Sequence, residues 1–229
     1  MKSPNEKPHY LGHRQRLLER FTSHPEYMSD YELIEMLLFY VFRRRDTKPL
    51  AKTLLRCFKS VRGIILADLA DLRKIDGCGK SSIGLITLMR EIFSRTLWEK
   101  IIESKTIMSI SQIIEYYRNV LGHLKKEQFR IMFLNNKNKL ISEDLMQEGT
   151  INNTAIYPRE IIQKALEYGA GAIIMIHNHP SGDPKPSRQD IIMTKIVQEI
   201  GQKLDIILLD HVIIGKNGTI SFKELGIIL

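Results

Sequence analysis

Cysteine is scarce in this sequence, with only Cys57 and Cys78 among 229 residues. Two cysteines cannot build a disulfide framework or a four-cysteine zinc site. The first thirty residues are polar and lack the apolar core of a secretory signal. No apolar run approaches the roughly 18–20 residues that span a membrane. We therefore expect a cytoplasmic protein without a membrane partner.

The composition is otherwise that of a globular protein with an excess of basic residues. Hydrophobic residues make up 43% and charged residues 26%, which excludes a fully disordered or fibrous protein. The formal net charge is +8, and most of it falls in residues 1–104, which hold 19 basic and 13 acidic residues. Such a balance permits contact with nucleic acid but does not establish it.

Residues 1–104 predict a small all-helical domain, because no strand alternation occurs there. Ser29 and Glu32 form a capping-box pattern ahead of an apolar helix. Further helices are predicted at 11–21, 48–58 and 65–75, and in the long stretch that follows residue 80. Ser81 or Ser82 is expected to cap that last helix.

A glycine-rich turn precedes the long helix. The segment 75–80 (IDGCGK) resembles the hairpin of helix-hairpin-helix DNA-binding modules. The resemblance implies that Gly77 and Gly79 let backbone N–H groups approach a phosphate, while Lys80 supplies charge. A tight turn that needs glycine for its backbone alone is an equally good interpretation.

Residues 105–229 show strands alternating with helices, which predicts an α/β or α+β sandwich. A helix at 111–124 leads into strands at 128–134 and 139–149. The predicted elements that follow are a helix at 159–168, a strand at 170–179, a helix at 187–204, and strands at 205–210, 211–215 and 219–222.

Two histidines end the most apolar strand of this half. Side chains alternate along a strand, so His177 and His179 point to the same face. Asp190 follows eleven residues later, after a loop stiffened by prolines. Three N/O ligands with a fourth position left to water is the arrangement of a catalytic zinc site.

A simpler interpretation exists for part of this pattern. Ser187 and Asp190 also form an ordinary helix N-cap with an acid in the first turn. That interpretation explains both residues without a metal, but it does not explain the His177–His179 pair.

The segment from His177 to Asp190 (HNHPSGDPKPSRQD) resembles the JAB/MPN metalloprotease signature, the JAMM motif, in the form found in the RadC family. The resemblance covers roughly 105–229 and extends more weakly to the N-terminal half. It implies a sandwich of cytidine-deaminase-like architecture that binds one zinc ion through His177, His179 and Asp190.

The family motif also includes an upstream glutamate ahead of the first strand, and Glu127 matches it. Glu148 and Glu160 are rival positions, and we favour Glu127. The implied reaction is amide hydrolysis of a protein or peptide substrate. Glu127 would move the proton of the attacking water, and the Ser187 hydroxyl would stabilise the oxyanion.

Other functions are weighed against this one. The second hypothesis is a nuclease or a non-enzymatic nucleic-acid-binding protein, in line with the DNA-repair label of the family. The letters HNH at 177–179 do not support a HNH nuclease, whose motif residues are dispersed over a ββα unit. A zinc nucleoside deaminase is excluded, because the chain lacks both the H-x-E or C-x-E motif and P-C-x-x-C.

Overall fold

A computed structural model describes residues 9–103, 110–149 and 156–228. Its backbone contacts divide the chain into two compact units, Met1–Glu91 and Ile92–Leu229. The predicted domain boundary between residues 104 and 105 lies outside the described residues and stays a prediction.

The first unit is helical, as the sequence predicts. Its helices are α1 (His9–Ser23), α2 (Asp30–Phe39), α3 (Lys48–Phe58), α4 (Val61–Ile65), α5 (Leu69–Arg73) and the start of α6 (Lys80–Glu103), with one 3-10 turn at Pro25–Tyr27. The predicted capping box is present, since the Ser29 hydroxyl accepts the Glu32 N–H and the Glu32 carboxylate accepts the Ser29 N–H.

Two local expectations for this unit were wrong. The helix expected at 65–75 is shorter: α5 covers only Leu69–Arg73, because Asp68 caps it by accepting the Ala70 N–H, and residue 65 ends the preceding helix α4. The long helix α6 begins at Lys80, so Ser81 and Ser82 lie inside its first turn and do not cap it.

The second unit is built on a five-stranded mixed sheet, which confirms the predicted fold class. Its elements are α7 (Ile110–Val120), β1 (Glu127–Leu134), β2 (Leu140–Gly149), α8 (Pro158–Glu167), β3 (Ala172–Asn178), α9 (Arg188–Gln202), β4 (Ile207–Gly215) and β5 (Gly218–Ser221). The strand order is β2-β1-β3-β4-β5. Only β3 and β4 pair in parallel, and the other neighbours are antiparallel.

The sheet carries an apolar core on each face. On one face, Phe129, Ile131 and Phe133 of β1 pack with β3 and with helices α8 and α9. On the other face, the alternate residues of the same strands pack against α7 and the end of α6. Strand β3 is buried along its whole length, as expected for a strand covered on both sides.

Strand β4 differs from the prediction. The sequence separates 205–210 from 211–215, but the structure contains one continuous strand with an irregularity. Ile173 pairs with Leu208 and Ile174 pairs with Asp210, so Leu209 is an extra residue opposite β3. This β-bulge interrupts the side-chain alternation of β4, and the interruption resembles a strand end in the sequence. It also turns His211 to the same face as His177.

A buried carboxylate holds β4 beyond the bulge. Asp210 is 1% exposed, and it accepts the N–H groups of His211 (2.7 Å) and Lys223 (3.0 Å). It also accepts the Ser221 hydroxyl at 2.6 Å. The Asp210 carboxylate therefore ties β4 to the end of β5 and fixes the backbone at His211.

None of the described helices is long and apolar enough to cross a membrane.

We predict that Asp210→Ala destabilises the second unit by roughly 3 kcal/mol, because it leaves buried donors without an acceptor. Urea unfolding followed by circular dichroism would measure the loss. Glu199→Ala is the control, since that exposed carboxylate pairs with Lys203 on the surface and its removal should leave the unfolding curve unchanged. An unfolding midpoint of Asp210→Ala equal to wild type would contradict the assigned role.

Candidate metal centre

The two histidines of the H-x-H pair converge at the end of β3. His177 is fully buried, and His179 is the first residue beyond the strand. Their Nε2 atoms lie 3.0 Å apart. Because both rings share one face of the sheet, as strand alternation requires, the two nitrogens meet above the start of β1.

Asp190 completes the cluster from the start of helix α9. Its Oδ1 lies 3.4 Å from His177 Nε2, and its Oδ2 lies 3.6 Å from His179 Nε2. The three residues form a group whose ligand atoms all lie within 4.8 Å of one another. The structure thus brings together the three residues that the sequence proposes as ligands.

Asp190 also belongs to the N-cap of α9. Ser187 Oγ accepts the Asp190 N–H at 3.1 Å, and Asp190 Oδ2 accepts the Ser187 N–H at 2.7 Å. The capping interpretation and the ligand interpretation are therefore compatible, because Oδ2 accepts the Ser187 N–H while Oδ1 faces His177. The cap orients the carboxylate for the cluster.

The loop between β3 and α9 fixes the second histidine. His179 Nδ1 lies 2.9 Å from the Asp183 carbonyl oxygen, which can only accept, so Nδ1 carries a proton. The loop itself is held by the Asn217 N–H donating to the Gly182 carbonyl at 3.1 Å. Gly215 allows this close approach, because a Cβ there would lie 2.5 Å from that carbonyl oxygen.

The electrostatics favour a cation at this point. Burial lowers the pKa of His177 to about 4, so this ring is neutral. The pKa of His179 is raised, first by its interaction with the Asp190 carboxylate. Burial alone would raise the pKa of Asp190, but the two histidines and Ser187 hold it well below its usual range.

The donor set fits a zinc ion. A tetrahedral ion with bonds of about 2.0–2.2 Å separates its ligand atoms by roughly 3.3–3.5 Å. His177 Nε2 lies 3.0 Å from His179 Nε2 and 3.4 Å from Asp190 Oδ1, and one ligand atom from each of the three residues lies within 4.8 Å of the others. Two neutral imidazoles and one carboxylate also form a usual donor set for a catalytic zinc site.

Glu127 lies on the same face of the sheet, at the first position of β1. It shares the alternation of Phe129, which pairs with His177 across the strands, and the two rings stack. Burial is the main cause that raises the pKa of Glu127, with the negative charge of Asp190 adding to it and His179 opposing it. Glu127 is therefore electrostatically coupled to the cluster.

The two rival glutamates lie elsewhere. Glu148 pairs with Gln128 across β1 and β2, so it faces the opposite side from Glu127, where it contacts Lys126 and Gln128. Glu160 lies in the first turn of α8 and lines a small cavity with Lys164.

Asn178 holds the backbone around Glu127. Its Oδ1 accepts the Gln128 N–H at 2.8 Å, and its Nδ2 donates to the Lys126 carbonyl at 3.1 Å. The 1%-exposed amide of Asn178 thus bonds the backbone on both sides of Glu127. This places the start of β1 beside the end of β3.

Two further side chains, His211 and Thr194, lie next to the cluster, and local sequence patterns do not predict their contacts. His211 Nε2 lies 2.9 Å from His177 Nδ1, and Thr194 Oγ1 lies 2.7 Å from His211 Nδ1. Asp210 acts within the fold by accepting the His211 and Lys223 N–H groups, whereas the His211 ring contacts His177. Nothing in the pattern of helix α9 marks Thr194, which contacts the site only through the fold.

The glycine turn at 77–79 belongs to the other unit. Gly77 has φ +78°, a conformation that favours glycine, and a Cβ there would lie 2.7 Å from Arg45 Nη2. The space around Gly79 is open, and Lys80 is exposed at the start of α6. Backbone geometry alone thus accounts for Gly77, and Gly79 borders solvent.

A mixed sheet covered by helices on both faces, with an H-x-H pair at a strand end and an aspartate at the next helix start, defines a JAB-type domain. The family model of the RadC-like JAB domain matches residues 107–227, more than half of the chain. The chain belongs to the RadC family.

We predict that zinc affinity falls as the pH drops. Zinc needs the free lone pair of His179 Nε2, whereas the raised pKa of His179 keeps a proton there at pH values above the usual 6.5. Asp190 stays ionised over this range, so zinc binding displaces one proton, the one on His179 Nε2. Below the raised pKa, affinity should fall about tenfold per pH unit.

Competition with a chromophoric chelator between pH 5.5 and 8.5 would measure this slope. The variant His24→Ala is the control, because His24 is exposed near Glu26 in the other unit and should leave the profile unchanged. An affinity that is constant over the whole range would contradict the prediction.

Proposed function

We propose that this protein is a zinc-dependent hydrolase that cleaves amide bonds in peptide or isopeptide substrates. The observation that carries the proposal is the meeting of three ligand atoms of His177, His179 and Asp190 on the face of the sheet that also holds Glu127. Membership in the RadC-like JAB family supports it, because the JAB domain family includes hydrolases.

The chain's own residues would hold the ion and leave a coordination position open. His177 and His179 offer Nε2, and Asp190 offers a carboxylate oxygen. A zinc ion held there would lower the pKa of a water molecule and polarise the scissile carbonyl. The buried surroundings of His177 keep competing water away from its ring.

Glu127 acts as the proton carrier in this proposal. Its raised pKa brings the carboxylate closer to the working pH, where a general base is most effective. The carboxylate takes one proton from the attacking water as the O–C bond forms. It then delivers that proton to the leaving nitrogen as the C–N bond breaks, and Glu127 returns to its ionised form.

Ser187 supplies a hydrogen bond to the carbonyl oxygen. Its Oγ already accepts the Asp190 N–H, so the hydroxyl proton remains free to be donated. Ser187 is exposed at the end of the loop, where a substrate can reach it. Its donation strengthens as negative charge develops on the carbonyl oxygen, which stabilises the transition state.

The test combines metal content with turnover. Purified wild type should contain about one zinc ion per chain and cleave a fluorogenic peptide library that includes lysine isopeptide bonds. His177→Ala should lose both properties. Glu127→Ala should keep its zinc and lose at least about 100-fold in rate, because only proton transfer is removed.

Thr96→Ala is the matched control, because this exposed residue bonds only the backbone of its own helix and should alter neither property. A folded wild type without metal would overturn the zinc site. Turnover that survives Glu127→Ala would overturn the assigned role of this residue. Plasmid nicking that depends on His177 would replace the peptidase proposal by a nuclease.

We propose DNA binding by the first unit as a second function. A cavity of about 630 Å³ lies beside the glycine turn and is lined by Phe42, Arg45, Arg73, Lys74, Ile75, Asp76, Gly77, Cys78 and Gly79. Its basic side chains adjoin the open space at Gly79 and the exposed Lys80 at the start of α6. A backbone phosphate suits this combination of cations and the N–H groups at the start of a helix.

We predict that the double variant Arg73→Ala/Lys80→Ala weakens binding of a fluorescent duplex at least about tenfold at low salt. Wild-type affinity should fall steeply with added salt, and the variant should show a shallower slope. Fluorescence anisotropy on the full chain would measure both quantities.

Lys137→Ala, which removes an exposed charge in the turn between β1 and β2, should leave the affinity unchanged. His177→Ala should also bind as wild type does. Equal affinity of wild type and the Arg73/Lys80 variant would contradict the assigned surface.

A further inference from the structure

We propose that His211 is a positioning residue that dictates which ring nitrogen of His177 is offered to the metal. It does so through a hydrogen-bond relay that runs from His177 through His211 and Thr194 to the backbone carbonyl of Asp190. The inference deepens the proposed metal site and rests on it.

The relay begins at a group that can only accept. Thr194 Oγ1 lies 2.6 Å from the Asp190 carbonyl oxygen, so the threonine hydroxyl must donate its single proton there. The same Oγ1 lies 2.7 Å from His211 Nδ1. With its proton already committed, Oγ1 can only accept, and Nδ1 of His211 therefore carries a hydrogen.

The protonated nitrogen of His211 then determines which nitrogen of His177 carries a hydrogen. A neutral imidazole with a protonated Nδ1 has a lone pair on Nε2. His211 Nε2 lies 2.9 Å from His177 Nδ1, so His177 must donate from Nδ1. Its own Nε2 is left with a lone pair, which faces His179 and Asp190.

Burial keeps this order intact. His177, His211 and Thr194 are all 0% exposed, and the His211 ring packs between Phe129 and Phe222. Full burial beside these aromatic rings disfavours a charged imidazole, so the His211 ring is neutral, as the relay requires. Its two nitrogens lie within hydrogen-bond distance of two buried groups, His177 Nδ1 and Thr194 Oγ1.

The relay starts and ends on Asp190. The backbone carbonyl of this residue sets the order of protons, and its carboxylate lies 3.4 Å from the nitrogen that the relay leaves free. The bulge at Leu209 is what turns His211 toward His177, since regular alternation from Leu208 would place it on the other face. A histidine without this support could present either tautomer.

The tautomers can be observed directly in the metal-free protein. Long-range ¹H–¹⁵N correlation spectra of the imidazoles at neutral pH should show both His177 and His211 in the Nδ1–H form. Thr194→Val should give a mixture of forms at His211 and His177, whereas Thr194→Ser should retain the wild-type pattern. An Nε2–H form of His177 in wild type would overturn the proposal.

Zinc affinity provides the second measurement. His211→Phe fills the same apolar space without an acceptor and should weaken zinc binding about 10–100-fold. His211→Gln keeps an acceptor for the His177 N–H and a donor for Thr194, so it should recover most of that loss. Thermal unfolding of each metal-free variant checks that the fold is retained.

Failure of the relay and failure of the hydrolase proposal give different results. If His177→Ala abolishes zinc binding while His211→Phe binds zinc as tightly as wild type, the relay is wrong and the metal site stands. If His211→Phe and His211→Gln lose zinc equally, the acceptor is not the property that matters, and the proposal fails. Zinc binding without turnover, with the expected tautomers, refutes the hydrolase and leaves the relay intact.

Discussion

The site depends on two imidazole nitrogens held 3.0 Å apart at the end of a buried strand. Two lone pairs at this distance repel each other unless positive charge lies between them, and only a proton or a metal ion can supply it. His177 cannot supply it, because burial keeps its ring neutral. The Asp190 carboxylate adds negative charge beside the pair. The three side chains therefore form a cluster whose electrostatics favour a cation.

Asp190 makes several of these contacts at once. Its N–H and its carboxylate complete the cap of α9, and the same carboxylate faces the histidines. Its backbone carbonyl accepts a hydrogen bond from the Thr194 hydroxyl. A helix start is suited to this combination, because its first N–H groups need partners and favour negative charge. Asp190 can therefore serve both as part of the helix cap and as a ligand. The cap is what gives the carboxylate its orientation.

Local patterns predicted most of this unit, and the failures have physical causes. The H-x-H pair and the start of α9 follow from alternation and capping, which involve only neighbouring residues. The roles of His211 and Thr194 depend on a bulge at Leu209 and on the packing of α9 against β4, which no local pattern encodes. The same bulge made one strand look like two. The bonds of Asn178 to both sides of Glu127 likewise depend on the pairing of β1 with β3, which no local pattern encodes.

Strand geometry decides which of the three candidate glutamates lies near the cluster. All three lie near an end of a helix or strand of the same unit, and their charge alone does not show which one faces the cluster. Glu127 has the parity of Phe129 and lies on the face of His177, whereas Glu148 has the parity of Gln128 and faces away. Because a shift of one residue along a strand moves a side chain to the opposite face, only one of these two carboxylates can serve the cluster. Asn178 opposes that shift by holding the backbone on each side of Glu127, and so a buried amide helps to keep Glu127 on the face of the sheet that holds His177.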